Sequence, residues 1–177
     1  MLDVSVGYNK YTFLGNDFLT WIWFIIETGQ NLSELTKSKD PVTLEIGNSI
    51  VLENKINNEY KEKITIKGDQ AGLEEGTTAL KKGGWVTQIN LLCKIADDEY
   101  QFTLKGDSYN TSGLKTPVTD MSKNKDEIEG LVLEKAYLCF RVFEVIDSLF
   151  FSFLSQRIED NWTDKGLQDI RNWIESC

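Results

Sequence analysis

Acids and lysines are the residues best suited to chemistry here, because histidine is absent from all 177 positions. Its absence removes imidazole as a base, proton shuttle or metal ligand. The three cysteines, Cys93, Cys139 and Cys177, are far apart and lack CxxC spacing, so neither a zinc site nor a disulfide framework is expected. What is left is an acidic residue, Asp40, upstream of a strand that ends in Glu53-Asn54-Lys55. Some magnesium-dependent nucleases use this order: carboxylates hold the ion and a lysine helps activate water. The plainer reading is a solvated strand face, since Glu-x-Lys recurs by chance in a chain that is 27% charged. Gly83-Gly84 follows a helical stretch instead of preceding one, which makes it a helix stop and not a phosphate cradle. Asp97-Asp98-Glu99 suits a hairpin turn. No catalytic residue, metal site or cofactor is expected.

Two other charged groupings suggest binding. Lys61, Lys63 and Lys67 alternate along one strand, and Lys81 and Lys82 end a nearby helix. Together they form a candidate DNA-contacting face. Acids are interleaved: residues 55–82 carry six lysines against five acids, and the whole chain has a net charge of −9. That field disfavours nucleic acid and anionic membranes. Arg141, Glu144 and Asp147 lie three apart in apolar surroundings, as i, i+3 partners, a water-facing stripe or a polar seam at an interface.

The elements that must position these groups are set by hydrophobic period. Residues 125–158 hold no proline, and apolar residues recur at helical spacing from Ile128 through Leu138, Val142, Ile146, Leu149 and Phe153. One long helix is expected there. Residues 17–28 form a second helix, apolar on nearly every face, with Asn16 as its N-cap and Gly29 as its stop. Residues 1–14 look strand-like. Between the helices come a hairpin turning at Gly47-Asn48, an alternating strand over 60–67, a short helix over 73–82, and a second hairpin over 85–105. Residues 106–119 are expected to be a loop. Asp160-Asn161 loosens the long helix, and Thr163 caps a last short one. These runs predict an α+β fold: an antiparallel sheet of about five to six strands packed against a buried N-terminal helix and a long C-terminal helix. A single domain over 1–177 is expected, with the sheet at about 42–105 and the helical region at about 124–177.

The stretch from Phe13 to Phe24, FLGNDFLTWIWF, resembles a signature of bacterial proteins grouped with the recombination-associated protein RdgC. Weaker echoes follow at residues 65–68, 79–83, 100–104 and 114–117. Asn16-Asp17 departs from the pattern by replacing a basic–acidic pair. The match falls on the carboxy-terminal region of long members and implies a non-catalytic, oligomeric protein near DNA recombination or replication. It transfers no catalytic residue.

The reading that follows is a cytoplasmic, non-enzymatic domain acting as a homo-oligomer or through a protein partner. Trp21, Trp23, Phe150 and Phe151 are the expected interface. The first residues lack the basic start and apolar run of a signal peptide, and the longest apolar runs are about half of the ~20 residues a membrane span needs. Two alternatives stand beside it: the nuclease built on Asp40, Glu53 and Lys55, and an apolar-ligand carrier with a pocket of at least ~300 Å³ under the aromatic helix.

Overall fold

The computed structural model describes residues 4–55, 61–68, 72–118, 125–159 and 162–176, with side chains at 4–13, 55, 61, 72, 73 and 125–127 left outside the description. Asp160-Asn161 lies outside the described residues. The fold is α+β, as the pattern of elements predicts: α1 (Val4–Glu27), α2 (Leu32–Thr36), β1 (Val42–Lys55), β2 (Lys61–Lys67), α3 (Gly72–Lys81), β3 (Trp85–Ile95), β4 (Asp98–Lys105), β5 (Thr111–Lys115), α4 (Lys125–Arg157) and α5 (Leu167–Ser176). A π-helical turn over Trp162–Gly166 leads into α5. The five strands make one curled antiparallel sheet in the order β2-β1-β3-β4-β5.

Strand alternation gives that sheet one apolar face. Leu44, Ile50, Leu52, Val86, Ile89, Leu91, Cys93, Tyr100, Phe102 and Leu104 are buried on it. Helix α1 lies across β3 and also touches β1 and β4, while α3 covers β2 and β1. Phe18, Leu19, Trp21, Ile22, Trp23 and Ile25 are almost fully buried, which explains why this helix is apolar on nearly every face. The opposite sheet face is open and polar, with Thr43, Glu45, Lys94 and Glu99 exposed.

Four expectations are corrected. The chain over 4–14 is helical, not strand-like, and α1 runs straight through Gly15-Asn16. Asn16 is therefore no N-cap; its carbonyl accepts from Thr20 Oγ1 at 3.0 Å, inside the helix. Gly15 serves a close approach, since a Cβ there would collide with the Gly106 backbone. Gly47-Asn48 does not turn a hairpin. β1 continues through it as a bulge, with Ile46 opposite Leu91 and Ile50 opposite Ile89. The buried amide of Asn90 fills that bulge. Its Oδ1 accepts from the Asn48 N–H at 3.2 Å and from Gln101 Nε2 at 3.1 Å, and its Nδ2 donates to the Phe102 carbonyl at 3.1 Å. A Cβ on Gly47 would strike this side chain. Lastly, the expected loop over 106–119 contains an edge strand, β5, paired with β4.

Helix α4 has 33 residues, or ~50 Å at ~1.5 Å rise each. Leu138, Val142, Val145, Ile146, Leu149 and Phe153 bury one face against the core. Phe153 meets Trp21 with centroids 5.7 Å apart and Phe18 at 5.5 Å. Trp162 closes the far side of Phe153 edge-on, at 6.0 Å. Across the same core, Trp173 of α5 meets Trp23 edge-on at 5.6 Å. Each such buried aromatic contributes about 1.5–3 kcal/mol relative to exposure.

Candidate docking face on helix α4

Polar pins fasten α4 along both sides of its buried face. Arg141 donates from Nη2 to Asp40 Oδ2 at 2.9 Å and from Nη1 to Asp98 Oδ2, tying mid-helix to the start of β1 and to the β3–β4 hairpin. Ser152 Oγ donates to the Leu35 carbonyl of α2. Arg157 Nη1 bonds Asp17 Oδ2 at 2.7 Å, and Trp21 Nε1 donates to Gln156 Oε1 at 3.2 Å. Burial works against the Arg141 charge, but Tyr100, Asp40 and Asp98 outweigh it and hold its pKa above the ordinary value. Asp17 is shifted upward by burial, partly offset by Arg157. The i, i+3 pairing expected of Arg141 with Glu144 is thus replaced by two partners from other elements.

The side of α4 turned away from the core is apolar and open. Val132, Leu133, Ala136, Phe140 and Phe143 cluster on it at steps of up to four residues, Phe151 lies eight residues further on beyond Asp147, and all are exposed. Leu133 keeps 71% of its surface, Phe151 67% and Phe140 58%. From Ile128 to Tyr137 only Leu131 is even half-buried, so the first turns of α4 project past the core as an arm. The charged side chains at the same angular positions within 128–151 are Glu129, Glu144 and Asp147, all exposed and all acidic. Lys135 and Arg141 point elsewhere around the helix.

The expected interface is half corrected by this geometry. Trp21 and Trp23 are 1% and 0% exposed, and α4, α3 and α5 of the same chain shelter them. Phe150 is half-buried, stacked edge-on against Tyr109 at 4.9 Å and Phe18 at 5.1 Å. Phe151 alone of the four stands open. Leu133, Tyr137, Phe140 and Phe151 fall outside the apolar stripe that defines the helix in the sequence. A second apolar stripe on one helix was the signal available for them.

The lysines separate. Ile66 of β2 is buried against α3, where a Cβ on Gly76 would press on it, so by alternation Lys63 and Lys67 face the open side of the sheet. Lys81 ends α3 and Lys82 follows it, both exposed over the other face, and Lys82 lines a cleft with Glu62, Glu74 and Glu75. Lys61 lies on the same strand as Lys63, and its side chain is outside the description. The five do not form one surface.

The nuclease constellation also comes apart. Asp40 precedes β1 and pairs with Arg141, while Glu53 stands near the strand's far end, more than about 30 Å away at ~3.3 Å per residue. Carboxylates so placed cannot share one magnesium ion with ~2.1 Å bonds. Lys55 ends β1, with its side chain outside the description. Among the described residues, no group of three His, Cys, Asp or Glu is placed to hold a metal ion. The space beneath the aromatic helix is filled by Phe153, Trp173 and the sheet. A polar cleft of about 400 Å³ lies instead between residues 36–40 and α4, lined by Lys37, Tyr137, Arg141 and Glu144. Among the described residues no helix is long and apolar enough to cross a membrane.

No protein-family model, no curated protein and no solved structure matches this chain.

Proposed function

We propose that this domain is a non-catalytic docking module that engages a protein through the outward face of α4. The observation that carries the reading is the pair of apolar faces on one helix: the first is consumed by the core, and the second is left open along the arm and beyond it. Aromatic side chains bury ~150–250 Å² each, so a side chain exposed by about half leaves on the order of 100 Å². The six residues together leave about 600 Å² at most, three-quarters of the ~800 Å² per partner of a standard interface. Contiguous apolar surface on that scale marks interaction sites, whereas scattered single residues do not. The resemblance of residues 13–24 to the RdgC-like group adds a DNA recombination or replication setting for the partner. Those residues from Phe18 to Phe24 pack in the core, so the motif speaks for a shared way of packing and not for a recognition surface.

The test is a triple variant, F140S/F143S/F151S. It should stay within about 1 kcal/mol of the parent in urea denaturation, because the three side chains lie outside the core. It should also lose most of the parent's fluorescence with an apolar dye such as ANS. A destabilisation of several kcal/mol, or unchanged dye binding, would show that the stripe belongs to the fold.

A further inference from the structure

We infer that the occupant of the α4 face is a cationic amphipathic helix: a segment with an apolar stripe of its own, flanked by lysine or arginine. This deepens the function proposed for that face and rests on it. A helix is the shape that suits the straight stripe from Leu133 through Ala136 and Phe140 to Phe143, whose three- to four-residue steps accept anchors at i, i+3 or i+4 and i+7 from a second rod, with Phe151 as an outlying contact. The charges say which helix. Glu129 sits at one end of the open stripe, Glu144 beside Phe140 and Phe143, and Asp147 between Phe143 and Phe151, all exposed. The nearest basic side chain of mid-helix, Arg141, is turned away and neutralised by Asp40 and Asp98. The face is therefore apolar over Val132–Phe143, with an acid at either end of that stretch and Glu144 beside it.

A second copy of this chain is the poorer occupant. Two such faces packed together bring acid against acid or drive Asp147 and Glu144 into the partner's phenylalanines, leaving charges desolvated and unpaired. Each copy also carries a net charge of −9, which adds repulsion at long range. A partner with lysines or arginines around its apolar anchors reverses both terms: it pairs Glu129 and Asp147 at the ends of the apolar stretch and Glu144 beside it, and is steered in by the field.

The experiment titrates the full chain with two synthetic 18-residue helices that share one leucine stripe, one flanked by lysine and the other by glutamate. The lysine helix should bind at least tenfold more tightly than the glutamate helix, and more weakly as salt rises. F140S/F151S should lower that affinity at least tenfold. E129Q/E144Q/D147N should keep the leucine contribution but cut the preference between the helices to less than threefold. E45Q/E99Q on the open sheet face should change nothing. If the stripe variant weakens both helices and neither charge is preferred, the surface docks but the inferred partner chemistry is wrong. If the lysine helix binds and the stripe variant has no effect, docking at α4 is itself wrong. Light scattering on the parent chain adds one more outcome: a dimer that F140D splits would assign the face to a second copy and overturn the inference.

Discussion

Burial turns a reactive side chain into a packing one. Cys93 is the case in point. It is 2% exposed on the apolar sheet face, and burial pushes its thiol up to about 12, with the Arg141 charge pulling slightly the other way. A thiol is a nucleophile only as thiolate, so native Cys93 should resist iodoacetamide at pH 8 and react once urea unfolds the chain. Mass mapping of the alkylated peptide checks this, and equal rates in both states would contradict it. The same shift sets a pH dependence. The folded pKa lies above the unfolded value of ~8.5, so the contribution to stability is intact below ~8.5 and is lost as pH rises toward 12. Urea midpoints should accordingly hold steady to about pH 8.5 and then fall. Burial shifts Tyr100 in the same direction. The burial of Cys93 is legible in the sequence, because it alternates with Ile89, Leu91 and Ile95 along one strand. The role of Asn90 is not, because it depends on a bulge 42 residues away in the chain.

At the scale of elements, periodic segments were legible and junctions were not. The long helix, the apolar helix and the β3–β4 hairpin announce themselves by period. The errors gather at glycines. Gly15 looked like a break and Gly47 like a turn, yet one permits a backbone to approach Gly106 and the other admits the Asn90 side chain. Both uses depend on partners remote in sequence, which local pattern does not carry. β5, half-exposed at a sheet edge, has no apolar alternation to display. Helix α4 offers the clearest test at this scale, because its arm has no core to hold it and rests on helix propensity. Gly130 lies in that arm, and open space surrounds the place a Cβ would take. G130A should therefore stabilise the arm by about 0.5–1 kcal/mol. Amide exchange at residues nearby should slow by about threefold, the factor that such a free energy gives. Faster exchange would mean that the arm is held by contacts alanine disturbs.

For the whole molecule, the sheet supplies a platform and α1 a core, and α4 is the element with two apolar faces. Its buried face is pinned by Arg141, Ser152, Gln156 and Arg157, and none of these lies on the open stripe. The proposed docking face can therefore be altered by substitution without touching these pins. The sequence pointed to large apolar residues needing shelter, and for Trp21 and Trp23 that shelter is internal. What remained unsheltered, Phe140 and its neighbours, was hidden by lying off the dominant stripe. The most direct measurement places a photo-reactive phenylalanine at position 140, in cells producing the full chain, and compares it with the same group at Lys94 on the open sheet face. A discrete protein adduct at 140, absent at 94 and abolished by adding F151D, is the predicted result. Equal labelling at both positions, or no adduct at 140, would contradict the assignment of α4 as the docking element.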